Sequence, residues 1–358
     1  MSELRGLSAV AVPGLPEVAE GDDLPAQIVA ACTACGIELT GEDVVVVASK
    51  VVAKAEGRTL TGTDRAEAIT SQTVRVVAAR TMPDGGLTQV VQSRSGPVLV
   101  AAGVDASDVP RGTVLLLPAD PDASARTLRA GIRRLTGTAP AVLVSDTAGR
   151  PWRDGVTDFA LGAAGLACLD DARGRLDRFG RTLEVTVRGI GDEVAALADL
   201  VKGKAAGLPV AVVRGLGDYI TEADGAGAGP CVRTGPTDWF RFGQVEAVRA
   251  SLGLADGEIA PPPLVPSSED DAARLARAVA VATAGSAPSA VTLDVKEDQV
   301  VVHGDPVHAG VMAQRLMAAC WSEGVTAELV VDDLVRVVVY PREASQASNS
   351  SGGIGRAK

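Results

Sequence analysis

Aromatic residues make up only 3% of this 358-residue chain, and histidine occurs twice. With so few rings, Val, Ala and Leu must build the core. Hydrophobic residues at 46% and charged residues at 22% are the composition of a globular protein. His303 and His308 both lie far toward the C-terminus. A Ser–His–Asp or Cys–His site in the main part of the chain is therefore not expected, and acid–base work there falls to carboxylates. Long apolar runs are missing too. No uncharged apolar stretch reaches the roughly 18 residues of a membrane span. Met1 to Gly14 lacks the basic start and apolar middle of a secretory signal. Basic residues fall short of acidic ones, 34 against 45, for a formal net charge of −11. That balance argues against a nucleic-acid partner or an anionic membrane surface, but it allows a local basic pocket. The five cysteines are odd in number and scattered, and Cys32-Thr-Ala-Cys35 has no second pair to complete a zinc site. Small core residues of a helix are the favoured reading there, with redox or metal chemistry as the alternative. The expectation is a reduced, cytoplasmic protein.

Glycine (40) and proline (20) are plentiful, and the length suits two domains. The apolar pattern predicts a strand over 8–13, a helix over 24–36, a buried strand over Val44–Ala48, and a helix over 64–80 opened by Asp64. Strands near Val98–Ala102 and Val114–Leu117 follow, then a helix from Asp120-Pro-Asp122 to about Leu135 and a strand over Val142–Ser145. A half-buried strand over Leu183–Arg188, a helix over Asp192–Lys204 and a strand over Pro209–Arg214 come next. This is a mixed α+β or α/β layered domain, assigned to 1–254. A Pro- and Ser-rich linker is expected over 255–268. A small α-β-β-α-β-β domain is expected over 269–342, and a disordered tail over 343–358.

The most informative stretch is Val142-Leu-Val-Ser-Asp-Thr-Ala-Gly-Arg-Pro-Trp-Arg153. An apolar run gives way at Asp146-Thr147, and Arg150 and Arg153 follow. Oxygen ligands suit a hard divalent cation, and arginine forks suit phosphate, which makes Asp146, Arg150 and Arg153 candidate catalytic groups. A strand followed by an Asx-type turn, with Trp152 in the core, explains the same residues equally well. Ser49 and Lys54 are candidate phosphate contacts, against a plain reading as a solvated edge strand. Asp105 and Asp108 are candidate cation ligands, against Asx turns. The run Arg214–Gly229 offers Glu222 and Asp224 as further metal ligands, against an ordinary mobile loop. Neither a dinucleotide fingerprint nor a Walker pattern occurs, so a nicotinamide-dependent oxidoreductase is not supported.

Taken in order, several segments resemble the coenzyme F-420:L-glutamate ligase (F-420-0 gamma-glutamyl ligase) family. They include Gly14-Leu-Pro-Glu-Val18, Ser49-Lys-Val-Val-Ala-Lys-Ala-Glu-Gly-Arg58, Ala102-Gly-Val-Asp105, Leu117-Pro-Ala-Asp-Pro-Asp-Ala-Ser124, Ser145-Asp-Thr-Ala-Gly-Arg-Pro-Trp-Arg153 and Leu200-Val-Lys-Gly-Lys204. The resemblance covers about residues 8–245. It implies a GTP-dependent amide ligase that forms an intertwined homodimer. GTP would phosphorylate the terminal carboxylate of F-420-0, and the amine of L-glutamate would attack the acyl phosphate; some members add further gamma-linked glutamates. It also implies two divalent ions, Mg²⁺ or Mn²⁺, and a supporting monovalent cation, K⁺. Carried over by position, Leu15, Pro16, Glu17, Val18, Ser49 and Lys54 would line the nucleotide site. Asp105 and Asp146 would hold one metal and Thr147 a second, with Glu222 or Asp224 where archaeal members place a metal-binding Glu. Asp108 stands where the family usually carries a nucleotide-contacting Asn, so it loses amide donors and adds negative charge. Two-domain relatives carry a flavin-dependent reductase after the ligase. Residues 269–342 are too short for that, so no flavin is expected, and a docking, dimer-supporting or vestigial role fits better. A non-catalytic nucleotide-binding paralogue, acting as partner of another F-420 biosynthetic enzyme, is the alternative to the ligase.

Overall fold

The computed structural model of the chain describes residues 6–81, 87–235, 238, 240–255, 257–260, 262, 269–285 and 287–340. It has two compact units, residues 1–75 with 80–238, and residues 76–79 with 239–358.

The first unit runs β1 (Ser8–Ala11), α1 (Leu24–Ala34), β2 (Val44–Ala48), α2 (Ser49–Ala55), β3 (Thr59–Thr61), α3 (Arg65–Gln72) and the two ends of β4 (Thr73–Thr81), whose residues 76–79 are counted with the second unit. Next come β5 (Leu87–Ser93), β6 (Val98–Val100), β7 (Thr113–Leu115), α4 (Pro121–Thr136), β8 (Ala141–Arg150) and β9 (Arg153–Ala164). It closes with β10 (Leu169–Asp171), β11 (Val187–Gly189), α5 (Ile190–Lys202) and β12 (Val210–Arg214). The central sheet has the order β1-β12-β2-β8-β9, in which β2 and β8 are parallel and the other pairs antiparallel.

The unbroken apolar runs of β2, β8 and β12 are explained by burial on both faces. Val45, Val47, Val142, Val144, Val210 and Val212 join one core with α1 and α4. Their neighbours Val44, Val46, Ala141, Leu143, Ala211 and Val213 join a second core with α5. The result is a three-layer mixed α/β arrangement.

Four sequence expectations change. Residues 49–55 form a helix, not a continuing strand. The helix opened near Asp64 ends at Gln72, and residues 73–81 are extended, as suits the β-branched Thr73, Val74, Val76 and Val77. The strand expected over 142–145 continues to Arg150 and returns as β9, so the chain does not turn at Asp146-Thr147. Trp152 sits at the tip of that hairpin with 91% exposure and is not a core residue. The alternative that placed it in the core is excluded. Of the strand expected over 183–188, only Val187 and Arg188 are extended, in β11.

The Gly-rich run is pinned rather than loose. Asp122 accepts from the amides of Ala228 (2.8 Å), Gly229 (3.2 Å) and Ala163 (2.8 Å). Arg129, 5% exposed, reaches the carbonyls of Thr221 (2.8 Å) and Glu222 (3.1 Å).

The second unit contains α6 (Gln244–Ser251), α7 (Asp271–Thr283), β13 (Val291–Val295), β14 (Gln299–Gly304), α8 (Pro306–Ser322), β15 (Thr326–Val331) and β16 (Val335–Tyr340). Its sheet is antiparallel, in the order β13-β14-β16-β15. Leu252 and Leu254 pack in its core, so the division falls at Asp238 rather than at 254. Within the expected linker, Arg249 Nη1 donates to the carbonyls of Ile259 (2.8 Å) and Ala260 (3.0 Å). Residues 256, 261, 263–268 and the expected tail beyond 340 lie outside the described residues. No helix among the described residues is long and apolar enough to cross a membrane.

Gly162 marks the closest approach of α4 to the sheet, because a Cβ there would lie 2.2 Å from the Pro121 carbonyl oxygen. Gly162→Ala should therefore destabilise the first unit by roughly 2–3 kcal/mol. Urea unfolding checks this, and an unchanged midpoint would mean that the contact relaxes freely.

Candidate functional site

Chain direction gathers the site at one end of the sheet. β1, β2 and β8 all run toward that end, and β12 starts from it. The segment after β1 brings Leu15–Val18, and α2 after β2 brings Ser49 and Lys54. Strand β8 itself brings Asp146 and Thr147, the end of α5 brings Lys202, and the turn before β12 brings Lys204. Carboxyl ends of parallel strands are the usual place for a ligand in a layered α/β sheet.

A register shift in β8–β9 sets the side-chain directions. Val144 pairs with Gly162 but Ser145 pairs with Ala160, which leaves Leu161 as an extra residue. Such bulges re-aim side chains. Beyond the shift, Thr147 stands opposite Asp158. Asp158 then receives four hydrogen bonds. Thr147 Oγ1 (2.6 Å) and Lys204 Nζ (2.8 Å) donate to Oδ1, while Ser145 Oγ (3.0 Å) and Lys202 Nζ (2.9 Å) donate to Oδ2. Asp158 and Lys202 are almost fully buried. Burial works against the Asp158 carboxylate, but the two lysines and Thr147 outweigh it and hold its pKa below the usual range. Lys204 also reaches Thr147 Oγ1 (2.8 Å) and Asp199 (2.7 Å).

Asp146 points the other way. Residues Ala48 and Ser145 are register partners, so Ser49, at the start of α2, reaches Asp146 Oδ1 at 2.8 Å. Burial pushes the Asp146 carboxyl up to about 6, against the opposing pull of Ser49, the Thr147 amide and Lys50. Lys54, buried on α2, donates to Glu17 (2.7 Å) and Asp108 (3.0 Å). Burial disfavours its charge, but these two carboxylates more than compensate and raise its pKa. Asp108 has φ +57°, a left-handed conformation that Asp and Asn tolerate better than most residues. Asp105 is held by Lys50 (2.6 Å) and by the amide (2.8 Å) and hydroxyl (2.9 Å) of Ser107. Burial raises its pKa, yet these donors prevail and lower it.

Two cavities meet here. The smaller, about 520 Å³, is lined by Leu15, Pro16, Glu17, Val18, Ser49, Lys54, Asp108, Asp146 and Thr147, together with Lys50, Asp158, Asp199, Lys202 and Lys204. The larger, about 1010 Å³, has apolar walls from β6 and Leu115–Leu117, and it shares Ser49, Lys50, Asp146, Thr147 and Lys204 with the smaller one. Asp105 and Arg150 line only the larger cavity. Seven residues separated in sequence by up to 93 positions, Leu15 to Val18, Ser49, Lys54 and Asp108, thus share one cavity.

Three expected site residues are placed elsewhere. Arg153 lies at the far end of the β8–β9 hairpin and lines neither cavity, because the strand runs on past Asp146 at about 3.3 Å per residue. Glu222 and Asp224 line a third cavity with Arg129, and Asp224 is ion-paired to Arg129 at 2.9 Å. The sequence reading also missed Asp158, Lys202 and Lys204 as site groups. A lone Asp before the apolar run Phe159–Leu161, and the Lys-Gly-Lys at the end of α5, were the available signals.

Among the described residues, no group of three or more His, Cys, Asp or Glu could hold a metal ion. Asp105, Asp146 and Thr147 are hard oxygen donors on a shared cavity wall, and they suit a cation whose shell is completed by phosphate oxygens and water. In the smaller cavity five carboxylates face four lysines. A polyphosphate entering such a surface brings its own repulsion, which accompanying cations would relieve.

Fold and site together define a layered α/β protein with a paired cavity lined by lysines, carboxylates and hydroxyls. Residues 14–215 match the family model described as F420-0:Gamma-glutamyl ligase. Three similar proteins are each named coenzyme F420:L-glutamate ligase. The one from Methanothermobacter thermautotrophicus is 35% identical over 254 residues, covering 66% of this chain and 99% of the relative. That from Methanopyrus kandleri is 37% identical over 260 residues, covering 67% and 100%. That from Halorubrum lacusprofundi is 42% identical over 224 residues, covering 57% and 85%. The chain belongs to the F420-0:gamma-glutamyl ligase family.

The raised Asp146 pKa has a stability consequence. Between the ordinary value of 3.8 and about 6, the folded state holds a proton that the unfolded state has released. Stability is therefore lost as pH rises through that window, by at most about 3 kcal/mol. Without ligands, Asp146→Asn should gain on the wild type between pH 4.5 and 7.5. Parallel urea titrations at both pH values test this, and a constant difference would refute it.

Proposed function

We propose that this protein joins L-glutamate to F-420-0 at the expense of GTP. The supporting observation is the wall formed by Asp146 and Thr147, which faces two cavities at once. The reaction needs a nucleotide and a carboxylate substrate to meet. In the proposed course, a carboxylate oxygen of F-420-0 attacks the terminal phosphorus of GTP. The bond to the bridging oxygen breaks, GDP leaves, and an acyl phosphate forms. The amine of L-glutamate then attacks the acyl carbon. A C–N bond forms, phosphate leaves with the C–O bonding electrons, and the amine gives up a proton.

In this reading the smaller cavity binds GTP. Leu15–Val18 supply its wall, Ser49 a hydroxyl, and Lys54 a point charge for phosphate. Glu17 and Asp108 hold Lys54 in place and must give up part of that contact to the nucleotide. Lys202, buried against Asp158, keeps the β8 wall fixed while substrates exchange. Asp105 and Asp146 would hold one divalent ion, Mg²⁺ or Mn²⁺, and Thr147 a second, with K⁺ as a further cation. Bound divalent ions neutralise phosphate charge. A homodimer in the cytoplasm belongs to the same reading.

Mass spectrometry of the protein incubated with F-420-0, L-glutamate, GTP and Mn²⁺ should show product heavier by one or more glutamyl units. Asp146→Asn should lower that turnover by about a hundredfold or more while retaining the fold. No adduct with GTP or ATP, and with either metal, would overturn the ligase reading. Asp108→Asn releases one of the two carboxylates on Lys54 and restores an amide donor. It should bind GTP at least as tightly as the wild type by calorimetry. A tenfold loss would assign Asp108 a nucleotide contact of its own.

A further inference from the structure

The cysteines are scattered in sequence, yet the fold brings two of them, 63 positions apart, into contact. Cys168 lies just before β10, and Cys231 ends the Gly-rich run in the short 3-10 turn Gly229–Cys231. Their thiols are hydrogen-bonded to one another. The Cys231 sulfur also lies 4.0 Å from the Cys168 carbonyl oxygen. Cys168 is the fixed member. It is 4% exposed and packs against Gly191 of α5, where a Cβ would come within 3.1 Å of its sulfur. Its carbonyl accepts from the Gly191 amide at 3.1 Å. Cys231 is only half-buried. The hydrogen bond from Cys168 draws the Cys231 thiol below its ordinary pKa, against burial and the carboxylates of Asp192 and Asp122. The same bond, with burial, pushes the Cys168 thiol up. A half-exposed, thiolate-prone cysteine thus stands beside a second sulfur, the arrangement that makes a pair responsive to peroxide. The other cysteines are placed differently. Cys320 is in the core of the second unit, and burial pushes the Cys32 thiol up to about 11.

The backbone around the pair shows what a bond between them would hold. The start of the Gly-rich run is laced to the segment after β9. Thr221 donates to the Gly165 carbonyl (2.9 Å), Ala167 to that of Tyr219 (2.8 Å), and Gly165 to that of Asp224 (2.7 Å). The far end of the run returns to the same segment at Cys168, held by the thiol contact and by the Asp122 carboxylate. Gly225 and Gly227, both at positive φ, precede Cys231 and let that end close to the roughly 2.0 Å of a sulfur–sulfur bond.

We propose that Cys168 and Cys231 are a reversible thiol–disulfide pair, oxidised by hydroperoxide, which locks the end of the Gly-rich run onto the segment between β9 and β10. The Cys231 thiolate attacks a peroxide oxygen, the O–O bond breaks, and a sulfenic acid forms as water leaves. The Cys168 sulfur then attacks the sulfenic sulfur, the S–O bond breaks, and a second water carries off the Cys168 proton. Two thiols and one hydrogen peroxide give one disulfide and two waters. Such transient disulfides are the kind found in otherwise reduced compartments. The inference is independent of the ligase reading.

The test is peptide mapping of the full chain after hydrogen peroxide, with N-ethylmaleimide added in guanidinium to cap remaining thiols. Cys168 and Cys231 fall in different tryptic peptides, 154–173 and 215–233. The expected product is these two joined, two hydrogens lighter than their sum, and separated again by dithiothreitol. Both thiols capped in full, or Cys231 joined to another cysteine, would overturn the pairing. In Cys231→Ser, Cys168 should stay reduced and be capped; its oxidation at the wild-type rate would overturn the assignment of Cys231 as the attacking sulfur. Hydrogen exchange reads the lock. The amides of Cys231 and Val232, bonded to the carbonyls of Ala228 (2.9 Å) and Gly229 (3.0 Å), should exchange at least about tenfold more slowly in the oxidised protein. Equal exchange in the two forms would show a disulfide that locks nothing.

Discussion

The carboxylate of Asp158 is the joint on which the site depends. It is buried beside a buried ammonium, Lys202, and all four of its hydrogen bonds come from other parts of the chain. Ser145 and Thr147 lie on β8, Lys202 ends α5, and Lys204 leads into β12. One group thus ties a sheet strand, the helix covering its far face, and the turn that closes the cavity. A buried charge left without partners costs several kcal/mol, so the arrangement is close to all-or-none. Ser145 and Thr147 can turn toward Asp158 only because they alternate with Asp146 along the strand. Fixing one face at Asp158 therefore aims Asp146 at Ser49 on the other.

The same alternation explains what was legible in the sequence. The runs Val44–Ala48, Val142–Ser145 and Pro209–Arg214 read as buried strands because each is apolar on both faces, and α1, α4 and α5 carried their own periodicity. The elements from α7 to β16 follow the apolar pattern to within about two residues at each end. Elements whose local pattern is ambiguous were less legible. The mix of Lys and Val at 49–55 also suits an edge strand, yet the segment is helical, with Val51, Val52 and Lys54 all buried. Strand β9 was hidden by its glycines, and Gly162 is there to admit the Pro121 carbonyl of α4, a contact no local window contains.

Site residues divide along the same line. Motif positions that carry a type of chemistry, such as Asp146-Thr147 or Ser49 with Lys54, could be named from sequence. Their partners could not. Lys54 is 37 residues from Glu17 and 54 from Asp108, and Ser49 is 97 from Asp146. Each pairing depends on which strand ends the topology collects at one edge of the sheet. Arg153 illustrates the reverse error, since nearness in sequence to Asp146 placed it in the site, whereas an extended strand carries it away.

Charge neutrality within the smaller cavity also shapes the chemistry available to it. Every lysine there has carboxylate partners within 3.0 Å, and Asp146, the carboxyl without a lysine, is the one pushed toward the neutral form. A surface balanced in this way has no free positive charge with which to bind a polyanion. A phosphate-bearing ligand must either displace carboxylates from Lys54 and Lys204 or arrive with cations of its own. The second route also draws the proton from Asp146, since a nearby cation favours the ionised carboxylate. Below about pH 6, cation binding and ionisation of Asp146 are therefore coupled events.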